Sequence, residues 1–229
     1  MTARPLGRGD LVTSLVFIFP LLIAYQIGVL FTESINGADF VTSALYAAVG
    51  RDRTLYLLVW FAVAVGFVAA IALVRRRREL ALDEATPVML ESAIYALTIG
   101  TLIIFVMQRL FGLAIDGDLR PACDSVVTAL GAGVYEELVF RLGLFAGGAA
   151  LLFRLGVRAS IALLAAAAAS SVLFSLAHHL GSFGDAFETH AFVYRLIAGL
   201  LFAAIFYYRS LAHAVYTHVL YDVYVMVVQ

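Results

Sequence analysis

Charge is scarce in this sequence: 14% of its 229 residues are Asp, Glu, Lys or Arg. A soluble globular domain carries about 25%. The shortage excludes a water-exposed surface of ordinary size. The 63% hydrophobic share and the mean hydropathy of +0.99 say the same from the other side: the chain is an integral membrane protein. Net charge is −1, so the basic field that nucleic-acid binding needs is missing. Cysteine occurs once, at Cys123, which excludes an internal disulfide and any cysteine-built metal site. A lone thiol near a span end reads as inert. A helical HExxH zinc signature and a GxSxG nucleophile elbow are both lacking. The first apolar run has no small-residue exit of the A-x-A kind, so it reads as a retained span. No internal repeat interrupts the chain, and residues 1–229 read as one membrane domain.

What is present is a series of apolar runs. A span needs about 20 mostly apolar residues. Residues 11–32 meet that, with Pro20 as a tolerable kink. Residues 33–53 read as a loop with a re-entrant or interfacial piece, and residues 54–74 as a second span. Four arginines follow, Arg75 to Arg78, and the positive-inside rule assigns them to the cytoplasm. Arg4 and Arg8 put the start of the chain on the same side. Thr86-Pro87 reads as an N-cap and first helical residue, opening a third span over about 88–112. After a polar outer loop at 114–123, Asp124 or Ser125 caps a fourth helix over about 125–141. A short fifth helix takes 142–156 and a sixth 158–180. Within the sixth, "ALLAAAAASS" (162–171) suits close helix packing. The loop 181–190 precedes helices seven (191–208) and eight (210–228). The predicted fold is therefore an all-α polytopic bundle of about eight helices. An even count places both termini in the cytoplasm, at the expense of putting Arg154 and Arg158 outside.

Ionisable groups inside spans are costly and default to a functional reading. Here they are Glu136, Glu137 and Arg141 in helix four, His178 and His179 at the end of helix six, and His213, His218 and Asp222 in helix eight. Glu137 and Arg141 are spaced i,i+4 and pair on one face, while Glu136 points about 100° away from them. His218 and Asp222 are also i,i+4, and Phe174 lies one turn before His178. The helix directions predict Glu136, His178 and His218 at one depth, so helices four, six and eight form the site. His213 reads as interfacial, and His179 and His190 as loop-facing.

A carboxylate and an imidazole at one buried site can hold and deprotonate water. A second histidine with a hydrogen-bonding neighbour can stabilise an oxyanion. That is a layout for hydrolysing an amide bond. Glu136, His178 and His218 could equally ligate zinc, although HExxH is absent. Ser170 and Ser171 lie about two turns before His178 without the surroundings of a serine nucleophile.

The motifs resemble a known family. "EELVFR" (Glu136 to Arg141) matches EExxxR, "FSLAH" (Phe174 to His178) matches FxxxH, and "HVLYD" (His218 to Asp222) matches HxxxN/D. Their order on three late helices resembles the CAAX protease and bacteriocin-processing enzyme family (CPBP), the type II CAAX prenyl endopeptidases and their bacterial relatives. The likeness covers about residues 125–228, a catalytic core; residues 1–113 hold spans without a family motif. The resemblance implies an eight-helix intramembrane protease using glutamate-activated water and no cofactor. It implies Glu136 as general base, His178 as the residue positioning the water, and His218 with residue 222 as the oxyanion hole. Glu137 and Arg141 would support the site, with Phe174 beside His178. Asp222 stands where the eukaryotic enzymes have Asn. An ionised Asp only accepts hydrogen bonds, so the expectation is that it orients His218 and leaves His218 as donor. The implied partner is a membrane-associated protein or peptide substrate in a bacterial inner membrane, cleaved in maturation or in C-terminal sorting-signal processing. The competing classes are a non-enzymatic membrane scaffold or immunity protein of the same fold, a zinc metalloprotease, and a proton-coupled transporter.

Overall fold

The structure, a computed structural model, describes residues 9–32, 39–77, 79–106, 122–180 and 186–228. Arg4, Arg8, Arg78, the side chain of Cys123, and most of the outer loop predicted at 114–123 lie outside these, as do parts of the loops at 33–53 and 181–190. The described residues are helical, with no strand among them. Helix α1 spans Leu11–Gly28, begun by Asp10, whose carboxylate accepts from the Thr13 amide at 2.8 Å. A short α2, Phe40–Ala48, starts the same way on Asp39, and α3, Arg53–Arg75, on Asp52. Each carboxylate satisfies amides that have no partner within a helix's first turn. A 3₁₀ turn at Leu82–Glu84 leads into α4, Ala85–Val106. Thr86 is therefore not a cap but already helical. Pro87 still falls in the first turn, where its missing N–H costs nothing.

The largest departure from expectation is in the middle of the chain. Helices four and five are one continuous rod: α5 (Ala122–Gly131), a π-helix (Ala132–Gly147) and α6 (Gly148–Arg154). The glycines near this junction keep helical backbone, with φ −64° at Gly147 and φ −62° at Gly148. Neither Asp124 nor Ser125 is the cap: the helix begins at Ala122, and Asp124 sits in its first turn, where an acid suits the helix dipole. Helices α7 (Ala159–Ala177), α8 (Thr189–Tyr208) and α9 (Leu211–Val228) complete the bundle. Five stretches are long and apolar enough to cross a membrane: α1, α3, the run 82–103, α7 and α8.

Contacts between rods fix their directions. Gly9 abuts Ser210, and the Tyr216 hydroxyl donates to the Phe17 carbonyl at 3.0 Å, so α1 and α9 run parallel. Ser92 donates to the His213 carbonyl and Gly100 faces Tyr221 and Tyr224, so α4 runs with them. Gly28 lies against Val127 and Gly131 against Tyr25, which makes the long rod antiparallel to α1. Phe19 stacks on Phe67 at 3.8 Å and Tyr56 bonds Gln26, so α3 is antiparallel to α1 as well. Ser170 donates to the Phe140 carbonyl and Ser175 to the Phe192 carbonyl, which alternates the long rod, α7 and α8.

One end of the bundle thus gathers the start of α1, the end of α3, the start of α4, the α6–α7 turn and the α8–α9 turn. The other gathers the end of α1, α2, the starts of α3 and α5, the end of α7 and the start of α8. Among the described residues seven rods run between the ends, since α2, with 9 residues, is too short to cross. The start of α1 and the end of α9 lie at opposite ends, so the even count behind two cytoplasmic termini is lost. The change removes a conflict too, because Arg154 and Arg158 join the end of Arg75, Arg76 and Arg77.

Candidate active site

The π-helix carries Glu136, Glu137 and Arg141 into the centre of the bundle. Segments of this kind are rare and frequent at functional sites. They meet α7, α8 and α9 there because small residues let the rods close up. Gly133 lies so near α9 that a Cβ would stand 2.9 Å from the Val219 amide nitrogen, and Gly199 of α8 faces the Ser171 backbone at 3.2 Å by the same measure.

Glu137 and Arg141 are fully buried, and Arg141 Nε lies 3.1 Å from Glu137 Oε2. The predicted i,i+4 pair is present. Arg141 Nη2 also donates to the Gly199 carbonyl at 3.4 Å. Its guanidinium lies over the rings of Phe174 at 4.3 Å and Phe202 at 5.4 Å, where the ring faces attract a cation. The other Glu137 oxygen, Oε1, is 2.7 Å from His218 Nδ1. Glu137 is thus a bridge between Arg141 and His218, more than the staple its spacing announced. A carboxylate accepts, so Nδ1 of His218 carries the hydrogen and Nε2 faces away from Glu137.

His178 ends α7 as its C-cap. Its Nδ1 is 2.9 Å from the Phe174 carbonyl oxygen, which only accepts, so Nδ1 donates there as well. Its Nε2 turns to Glu136, 3.7 Å from Oε2. His218 Nε2 approaches that same oxygen at 3.8 Å, and Asp222 Oδ2 at 3.5 Å. Two imidazoles from different helices therefore point the same nitrogen at one oxygen of Glu136. Phe202 stacks on the His218 ring at 4.4 Å, and Phe174 meets the edges of both imidazoles at 5.0 and 6.0 Å.

All seven residues singled out in the sequence, Glu136, Glu137, Arg141, Phe174, His178, His218 and Asp222, come together. One detail differs: Glu137 rather than Asp222 holds the His218 ring, while Asp222 stands on its Nε2 side. His213 is buried near the start of α9, where Leu211 and Ala212 are buried too. His213 shares a 2.7 Å hydrogen bond with Ser210 and sits beside the Glu91–Arg209 ion pair, away from the cluster. His179 packs on Phe187 and His190 pairs with Glu188 at 3.0 Å, both off the site. The hydroxyls of Ser170 and Ser171 donate to backbone carbonyls. Among the described residues, no three His, Cys, Asp or Glu side chains are disposed to hold a metal ion. Phe202 and Gly199 were not foreseen, since an apolar helix offers no polar signal for them.

A polytopic helical membrane protein with a buried acid–histidine cluster shared by three helices defines the class. A family model described as Type II CAAX prenyl endopeptidase Rce1-like matches residues 119–224, which takes in α5 through nearly all of α9 and every residue of the cluster. This part of the chain, a little under half of it, is similar to that family, as its three motifs suggested. No curated protein and no solved structure matches the chain.

Proposed function

We propose that the chain is an intramembrane endopeptidase that cuts a membrane-associated protein or peptide with water activated by Glu136. The observation that carries this reading is the pair of gaps at Glu136 Oε2, 3.7 Å to His178 Nε2 and 3.8 Å to His218 Nε2. Both exceed a direct hydrogen bond and suit one bridging water. In the proposed step the water oxygen bonds to the scissile carbonyl carbon while Glu136 takes the water proton. The carbonyl electron pair moves to oxygen, and His218, as the imidazolium, donates its Nε2 hydrogen to that oxyanion. On collapse the C–N bond breaks, and Glu136 returns the proton to the leaving amine. His178 holds the water. Glu137, Arg141 and Phe202 keep the His218 ring in place.

The chemistry proposed runs without a metal, and dialysis against a chelator should leave cleavage unchanged. The setting is the inner membrane of a bacterial cell, and the role is maturation of a precursor or processing of a C-terminal sorting signal. The test compares membrane and secreted proteomes of cells carrying the wild type or Glu136→Gln. Uncut precursors should accumulate in the variant; identical profiles would sink the proposal.

A further inference from the structure

The site has a closed side and an open side. Side-chain exposure is zero for Glu137 and Arg141, 5% for Glu136 and His218, 14% for Asp222 and 27% for His178. The rise follows the bundle axis. Asp222 lies one turn beyond His218 toward the end of α9, and His178 caps the last turn of α7. Below the cluster, toward the α8–α9 turn, Phe145, Ala149, Ala166, Phe206 and Leu211 close the interior. The residue beside Glu136, Tyr135, accepts from Gln26, near the far end of α1, at 2.7 Å. The opening is thus at the end that holds α2, the end of α7 and the start of α8.

Exposed arginines mark the other end. Arg75, Arg76, Arg77, Arg154, Arg158 and Arg209 lie there. Among the described residues, the site end has exposed Arg51 and Arg53, and half-buried Arg195 inside α8. Short connecting segments with more Lys and Arg stay in the cytoplasm, whereas acidic residues contribute little to orientation. We infer that the catalytic cluster opens to the extracytoplasmic face, so that its substrates are exported peptides or outward-facing segments of membrane proteins. This rests on the endopeptidase reading for the word substrate, but the orientation itself does not.

The experiment starts from a Cys123→Ser background, which removes the native thiol. Leu180→Cys marks the site end, just past His178, and Leu155→Cys marks the arginine end. Both leucines are exposed, at 68% and 70%, and neither belongs to the catalytic machinery. Cells stripped of their wall are treated with a membrane-impermeant maleimide. Leu180→Cys should label in sealed cells, and Leu155→Cys only after permeabilisation. The reverse pattern, or equal labelling of both in sealed cells, overturns the inference. The same labelling in a Glu136→Gln background needs no hydrolysis, so it stands even if no precursor accumulates and the protease reading fails.

Discussion

Glu136 and Glu137 are chain neighbours with different surroundings, and that difference separates their variants. Glu137 is bonded to His218 and paired with Arg141 in a fully buried setting. Removing its charge leaves Arg141 buried without its counter-ion, a loss of about 3–5 kcal/mol in buried pairs. Glu137→Gln should therefore lower the unfolding temperature in detergent and lose cleavage together. Glu136 faces two imidazoles at bridging distance. Glu136→Gln is nearly isosteric and removes the base, so cleavage should fall by about 10²–10⁴-fold, with a smaller loss of melting temperature than Glu137→Gln. Equal melting losses for the two variants would refute this division of labour. Asp222 makes a third case. Because Glu137 already fixes the His218 ring, Asp222→Asn should retain substantial cleavage, measured on a precursor found in the proteome comparison. Complete loss would mean that Asp222 itself touches the reacting groups.

At the scale of elements, the π-helix and α9 meet at Gly133. A methyl group there would stand 2.3 Å from Val219 Cγ2 and 2.9 Å from the Val219 amide nitrogen. A side chain can turn away, but backbone cannot, so α9 must move. Overpacking of this kind costs about 1–3 kcal/mol, and the shift would carry His218, one residue before Val219, off Glu136. Gly133→Ala should thus depress cleavage more than melting, and an unchanged rate would show that the close approach is dispensable. The motif residues were legible in the sequence because charges in an apolar run stand out and their spacing fixes a face. Glu137–Arg141 needed nothing else. The fusion of helices four and five was not legible: "GLFAGG" carries glycine, which is as compatible with a helix held by neighbours as with a turn. Nor was the Glu137–His218 bond, which joins groups 81 residues apart, or the stacking of Phe202, which looks like any other apolar residue of α8. The short α2 lay within the segment read as a loop with a re-entrant piece, where only Asp39 and the apolar stretch after it hinted at a helix.

For the whole molecule, joining helices four and five into one rod reverses the side on which every later residue sits. With a separate fifth helix, His178 descends to the cytoplasm; with one continuous rod it rises to the opposite face. The arginines arbitrate, and they can be tested as the cause. Arg75, Arg76, Arg77, Arg154, Arg158 and Arg209 stand against Arg51, Arg53 and Arg195. Replacing the run from Arg75 to Arg78 with glutamine leaves three described arginines at each end, which removes the bias that sets orientation. The bundle itself should be unaffected, since the side chains of Arg75, Arg76 and Arg77 are exposed at a helix end and make no part of the core. The expected outcome is mixed insertion. Labelling of Leu180→Cys from outside sealed cells should fall, Leu155→Cys should become partly labelled, and detergent-solubilised protein should cut its precursor at the wild-type rate. If external labelling of Leu180→Cys stays complete, the arginine end does not orient this protein, and another determinant must hold the site on its face.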